Sequence, residues 1–479
     1  MDADQIRQAL EALRHNDLPT HGGQTLAYVY DSGLPEADAI GREALAAFGS
    51  TNALDPTAFP SLLQMEQDLI GMAADLLDGP PETVGAVTSG GTESVLLAVQ
   101  AARDAHPEIT EPAMVLPTSA HAAFHKAAHY FGVRPLFVDV DHETGRAVAS
   151  AMTAAITDDT VLVVASAPSY AHGVIDPVTS IATAAQARGV RCHVDACIGG
   201  WLLPYLRRDH PELPAFSFLV PGVTSISVDL HKYGYTPKGV SILLHRTPDL
   251  RRSQYFASAR WPGYTMINST MQSTRSGGPL AAAWAVTRII GHDGYTRLAR
   301  QVRDGVQILI AEISVIDHLR VLCQPESSLL AIATDDHLDV FTLCDELHLR
   351  GWHAQPQLSF GPFPPTMHVS VSAATTLHLP AFIDALRGSV MSASATGPVT
   401  LDPQVAAAVT QLDPAGLDET AFAELLQVAG LVGADGLTLP ERLAPVNALL
   451  DAAAAPVREA LLIAFLDQLS RPNRSSPSA

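Results

Sequence analysis

Eleven residues, Ser227-Val228-Asp229-Leu230-His231-Lys232-Tyr233-Gly234-Tyr235-Thr236-Pro237, hold the strongest chemical signal in the chain. Lys232 follows a histidine at the end of an apolar run, Val223 to Val228, and precedes a turn rich in Gly and Pro. A lysine held there can form a Schiff base with an aldehyde cofactor. The chemistry also needs a carboxylate to keep the cofactor's ring nitrogen protonated and a glycine-rich helix start to bind its phosphate. Both stand upstream. The run His193 to Gly200 puts Asp195 at the end of a short strand, and its Gly199-Gly200 pair lets the chain turn close to a ligand. The run Thr88 to Ser94 puts Gly90, Gly91 and Thr92 at the start of a long apolar helix, where open N–H groups and the helix dipole favour a phosphate. Together they point to pyridoxal phosphate.

Each feature alone has a plainer reading. A lysine after a strand is ordinarily solvated, a strand-end aspartate ordinarily caps a turn, and Ser-Gly-Gly-Thr ordinarily starts a helix. Their order and combination favour the cofactor. Desolvation and nearby cations lower a lysine's pKa, so Lys232 is expected to be a nucleophilic amine near neutral pH. His121, His125 and His129 lie at i, i+4 and i+8, on one helical face. That spacing can ligate zinc. No carboxylate or cysteine cluster accompanies it, so a polar face is expected and no metal. His121, first on its helix, suits a ring stacked on the cofactor. Arg275, flanked by hydroxyls and glycines from Ser273 to Gly278, is expected in an anion-binding loop.

The elements that must position these residues alternate. Helical segments are expected at Ser61–Leu77, Thr92–Ala105, His121–Phe131 and Pro177–Arg188, and strands at Val84–Val87, Ala113–Leu116, Pro135–Val140, Val161–Ser166, Arg191–Val194, Val223–Val228 and Val240–His245. Such alternation means an α/β fold, a mainly parallel sheet covered by helices, with ligands beyond the strands' carboxyl ends. Residues 1–60 are expected as an N-terminal arm with one helix, Ile6–Arg14, and then loops. Residues 61–290 form the large domain. Residues 291–393 form a smaller C-terminal α/β domain, with a helix at Tyr295–Ser314 and strands at Leu329–Ala333 and Met367–Val371. Residues 394–479 are expected as a helical extension with a frayed tail from Arg471.

The 479 residues suffice for two or three domains and a large core. With 29 basic and 50 acidic residues, a net charge of -21, the chain offers no basic surface for nucleic acid or an anionic membrane. Four cysteines, none in a C-x-x-C pair, suit a reducing compartment. The acidic start carries no signal-peptide pattern. A cytoplasmic protein without a membrane anchor is expected.

These motifs, with Ser119–Phe124 and Ala167–Pro177, resemble the sphingosine-1-phosphate lyase-like members of the pyridoxal-phosphate-dependent (group II) decarboxylase family, fold type I, from about Tyr28 to about Ala373. The resemblance implies an aspartate aminotransferase-like fold and a homodimer with shared active sites. It makes Lys232 the lysine that binds the cofactor and Asp195 the partner of its ring nitrogen. His121 stacks on the ring, and Gly91, Thr92 and His231 hold the phosphate. Thr274 and Tyr30 come from a second subunit. Tyr170 is the candidate acid/base, and Tyr30 and Lys238 clamp the substrate's phosphate. The family's Asn-Pro-Leu-His appears as Asn52-Ala53-Leu54-Asp55, so a carboxylate replaces the histidine that meets that phosphate and is expected to repel it. The activity implied is retro-aldol cleavage of a β-hydroxyamine to an aldehyde, with Tyr170 a base for the hydroxyl. The rivals are an amino-acid decarboxylase and an inactive pyridoxal-phosphate-binding protein.

Overall fold

The computed structural model describes residues 1–401 and 440–472, with isolated positions between them. The frayed tail expected from Arg471 falls, from residue 473 on, outside the described residues. So does most of the helical extension expected between 402 and 439.

Seven strands make the main sheet: β1 (Val84–Thr88), β2 (Ala113–Pro117), β3 (Arg134–Val138), β4 (Thr160–Ser166), β5 (Arg191–Asp195), β6 (Ser225–Asp229) and β7 (Ser241–His245). Their order is β1-β7-β6-β5-β4-β2-β3. Pairings from β6 through β5, β4 and β2 to β3 are parallel, and β7 runs antiparallel to both β1 and β6. Every residue of β2, β4, β6 and β7 is buried. That explains why β4 reads as an unbroken apolar run rather than an alternation: both of its faces are covered.

Helices take the remaining apolar faces. After α1 (Ala3–Leu13) comes α2 (Pro35–Ala47), where the sequence reading expected only loops. Gly41 in its middle weakens the helical signal, yet it is what lets α2 approach, since a Cβ there would sit 3.0 Å from Val286. Helix α3 (Pro60–Leu76) opens on a proline at its first turn and buries Leu62, Leu69, Ala73 and Leu76, one stripe at helical spacing. Helix α4 (Gly91–Asp104) is buried along most of its length. Helix α5 (Ala123–Phe131) stops at Gly132, whose left-handed φ of 63° ends it. The helical stretch Gly277–Ile313 is broken at Gly291 (φ 60°, ψ 174°).

The chain forms two compact units. The first contains Met1–Ala311, Leu322–Ala331 and Ser370–Leu379, and so takes in the arm and the helix as far as 311. The second contains Glu312–Val321, Ile332–Val369 and the chain from Pro380 on. A helix at Val340–His348 in the second unit supplies Asp345, whose carboxylate accepts the N–H groups of Leu443 and Ala444 at 2.9 and 2.8 Å, and Glu346, which pairs with Arg350 and Arg442. Short strands at Leu319–Val321, Leu329–Thr334, Thr366–Ser370 and Gln355–Gln357 form a separate sheet in that spatial order. Among the described residues no helix is long and apolar enough to cross a membrane. All four cysteines are buried and none forms a disulfide.

Candidate active site

Strands β1 and β6 both run opposite to β7, and the other strands run parallel to β6, so the carboxyl ends of β1, β2, β4, β5 and β6 share one edge. A cavity of about 480 Å³ opens there. It is lined by Gly90, Gly91 and Thr92 after β1, His121 after β2, Tyr170 after β4, Asp195 at the end of β5, and His231, Lys232 and Lys238 after β6.

Asp195 is 9% exposed. Its Oδ1 accepts the Cys197 N–H at 3.1 Å and the Ser227 hydroxyl at 3.3 Å. Ser227 is its register partner on β6, so strand pairing aims the carboxylate. Behind it, the ring nitrogens of His193 lie 2.9 Å from Ser225 Oγ and 3.2 Å from Ser227 Oγ. Burial pushes His193 down to about 4, against the pull of Asp195, so the ring is neutral and serves as a hydrogen-bonding brace.

Lys232 differs from expectation. Its Nζ lies 3.0 Å from Oδ2 of Asp229, a carboxylate only 2% exposed. Burial works to lower the lysine's pKa, but Asp229, followed by Tyr30, Cys197 and Asp195, carries it well above the ordinary lysine value. Lys232 is therefore an ammonium in the free site. The depressed lysine is Lys238, held down to about 8 by burial of its ammonium and by the charge of Lys232. Lys238 is exposed as a residue, and its Nζ donates to the Tyr28 carbonyl at 2.8 Å and sits 5.1 Å from the centre of the Tyr30 ring. Asp229 went unassigned in the sequence reading. The signal for it was the Asp-x-x-Lys spacing, which brings the two side chains together in the turn after β6.

The start of α4 has no side-chain cap, which leaves its first-turn N–H groups open to the cavity. Gly91 is obligatory there, since a Cβ would lie 2.7 Å from Cys197 Sγ and 2.8 Å from both Asp229 oxygens. His231 Nδ1 lies 2.9 Å from the Val240 carbonyl, and burial holds the ring below the ordinary histidine range against the pull of Asp229. An Nδ1–H given to that carbonyl leaves Nε2 an acceptor, so donating to a phosphate requires the imidazolium.

His121 sits in the turn ahead of α5, where its Nδ1 accepts the Ala123 N–H at 3.1 Å, and its ring meets Tyr170 edge-on at 6.4 Å. Burial, then Tyr30 and Tyr28, pushes the Tyr170 phenol well above the ordinary tyrosine value. Tyr170 thus keeps its proton. His125 packs on Phe137 and His129 on Tyr130. Among the described residues, the His/Asp/Glu group whose ligand atoms converge is His21, Asp31 and Asp38, none of which lines this cavity.

The geometry bears on four further expectations, and corrects those for Tyr30 and Arg275. Tyr30 belongs to its own chain's site: its ring lies beside Lys238 and 5.1 Å from Tyr233, and its phenol feels the charge of Lys232. Asp55 does not line the cavity of its own chain. It is exposed, and its Oδ1 accepts the N–H and hydroxyl of Thr57 at 2.8 and 2.7 Å. Thr274 is exposed and outside that cavity too. Arg275 is no anion loop, because its guanidinium pairs with Glu66 at 2.8 Å and donates to the Val87 carbonyl at 2.5 Å.

The residues present fit pyridoxal phosphate: an amine at Lys232, a braced carboxylate at Asp195, and an uncapped helix start whose glycine leaves room. Comparison with known proteins agrees. Residues 20–333 match the pyridoxal-dependent decarboxylase conserved domain. Residues 403–468 match a C-terminal HTH domain of pyridoxal-dependent enzymes. The chain is 38% identical over 349 residues to a sphingosine-1-phosphate lyase of Dictyostelium discoideum and 36% identical over 376 residues to one of Rattus norvegicus. Those alignments cover 73% and 78% of this chain. The chain spans 65% of the length of either relative. It is also similar to the solved sphingosine-1-phosphate lyase of Burkholderia pseudomallei, with a TM-score of 0.77 and 34% identity, covering 83% of this chain and 92% of that one. A Lactobacillus brevis glutamate decarboxylase, 18% identical with a TM-score of 0.74 and covering 84% of this chain and 94% of that one, shares the fold, which is fold type I. The cofactor is pyridoxal phosphate. The chain belongs to the pyridoxal-dependent decarboxylase family.

Proposed function

We propose that this chain is a carbon–carbon lyase that cleaves a phosphorylated β-hydroxyamine of the sphingosine-1-phosphate type by a retro-aldol reaction, releasing an aldehyde. The observation that carries this reading is the convergence of Lys232, Asp195 and the open start of α4 on one sheet edge with Lys238 at its mouth. The likeness to lyases of that kind supports it.

Bound there, pyridoxal phosphate supplies a ring that accepts the electron pair left when a bond to the amine-bearing carbon breaks. Asp195 holds the ring nitrogen protonated, and Ser227 with neutral His193 holds Asp195. Gly90, Gly91 and Thr92 would offer backbone N–H groups to the phosphate, and His231 would join them only on taking up a proton. His121 covers one face of the ring. Lys232 would hold the cofactor's aldehyde carbon, and its amine, when released, would stand beside the reacting carbons. Tyr170, which keeps its proton, is a donor to the substrate oxygen rather than the base first expected. Lys238 and Tyr30 bind the substrate's phosphate from within the same chain.

A second copy completes the site with Thr274, making a homodimer. Asp55 lies outside its own chain's cavity, so its electrostatic cost to a phosphate falls on a site to which a second copy presents it. Four buried cysteines without a disulfide suit the reducing cytoplasm. The test is a panel of phosphorylated β-hydroxyamines beside plain amino acids, scored for aldehyde and for carbon dioxide. Aldehyde from the phosphorylated amines is expected. Carbon dioxide from an amino acid, with no aldehyde, makes the chain a decarboxylase instead.

A further inference from the structure

We propose that Asp229 is a positioning residue for Lys232: its carboxylate holds the lysine amine in place and makes Lys232 the group that takes up the substrate's proton and returns it. The inference rests on the reading that Lys232 is the cofactor lysine.

The carboxylate is boxed in on every side described. Asp229 ends β6 and is the register partner of Ser241 on β7, whose hydroxyl donates to Oδ1 at 2.5 Å. Oδ2 faces Lys232 Nζ at 3.0 Å and His231 Nε2 at 3.6 Å. The backbone of Gly91 closes the remaining side, so close that no Cβ fits. A buried carboxylate that loses its cation is strongly destabilised, so this geometry keeps the lysine end at hand. The charged and titratable groups facing Lys232 are Asp229, Tyr30, Cys197 and Asp195, with Lys238 as a cation and His231, its imidazolium disfavoured by burial, around the same pocket. Tyr30 and Cys197 are held neutral by burial. Asp195 would be engaged by the ring nitrogen when the cofactor is bound. Asp229 is then the anion left to favour a protonated Lys232.

Tyr170 keeps its own proton, so a different group must accept the one on the β-hydroxyl, and the displaced Lys232 is placed to do so. Released as the neutral amine, it takes the hydroxyl proton on its lone pair, and Asp229 favours the ammonium so formed. The O–H electrons become the second bond of the aldehyde C=O. The Cα–Cβ pair remains on Cα, and the ammonium beside Asp229 then gives its proton to Cα. Nothing is oxidised or reduced, and no further reactant is needed.

The test is a pH titration of the visible absorption of the bound cofactor in wild-type and Asp229→Asn holoenzyme. Removing the anion should lower the midpoint of the band change by about one pH unit or more, one unit being a tenfold change in proton affinity. Asp229→Glu should recover part of the shift. A residue that merely packs would alter cofactor content and leave the midpoint in place, and an unchanged midpoint overturns the proposal. A wild-type protein with no cofactor band overturns the cofactor reading along with it. Should Asp229→Asn not fold, wild-type protein stripped of cofactor serves, through the pH dependence of amine labelling at each lysine. Labelling of Lys232 should still be rising at pH values where that of Lys238 has levelled off. Lys232 levelling first contradicts the proposal.

Discussion

Two lysines six positions apart are driven in opposite directions by their neighbours. Lys232 faces Asp229 and is held protonated, while Lys238 faces Lys232 and aromatic rings and is held down to about 8. Lys238 is a cation below that value and neutral above it. Affinity for a phosphorylated substrate that depends on Lys238 is therefore present below about pH 8 and lost as pH rises through it. We expect KM for the phosphorylated amine to climb across that value, with kcat much less affected. Lys238→Arg should flatten the climb, because a guanidinium stays charged throughout. A KM that ignores pH in wild type means that Lys238 does not meet the phosphate. At this scale the sequence was legible where function sits in a short motif. Lys232, Asp195 and Gly91 could be found because each is marked by its immediate neighbours. The proton states were not legible, since Asp229 acts through a strand pairing with Ser241 and through the missing Cβ of Gly91, contacts that no local pattern encodes.

At the scale of elements, the strand order explains why residues as distant as Gly91 and Lys238 line one cavity. The order also had to be observed, since alternation of helices and strands predicts a mainly parallel sheet but not that β7 inserts antiparallel between β1 and β6. Arg275 shows the limit most plainly. Its hydroxyl and glycine neighbours suggested an anion site, but its partner Glu66 lies 209 residues away on α3. Glu66 also accepts the Val87 N–H at 2.9 Å, and Arg275 donates to the Val87 carbonyl, so the pair ties α3, β1 and the loop before Gly277 together. Both side chains are mostly buried, at 16% and 13% exposed. Arg275→Met should leave Glu66 uncompensated and cost roughly 3 kcal/mol of stability. Chemical unfolding of the two proteins measures it. A variant as stable as wild type, or one that loses only phosphate affinity, would return Arg275 to the anion role.

For the whole molecule, charge narrows the partners. The segment that matches the HTH domain, residues 403–468, carries nine acidic residues against two arginines, so it offers no counter-charge for a DNA backbone. Thr274 is exposed and outside the cavity of its own chain, on a loop tied to α4 where Glu93 accepts the Met271 N–H at 2.8 Å, and the proposed function assigns it to the site of a second copy. Sedimentation should therefore give a dimer. Mixing Lys232→Ala with Thr274→Arg protein should restore turnover that neither shows alone, because a mixed dimer contains one site with both residues intact. A fully active monomer rules out the shared site.

Everything in this account passes through one nitrogen atom. Borohydride reduction of the purified protein, followed by peptide mass mapping, tests it most directly. A pyridoxal phosphate adduct is expected on the peptide containing Lys232, at Nζ of that residue. An adduct on Lys238, or none, contradicts it.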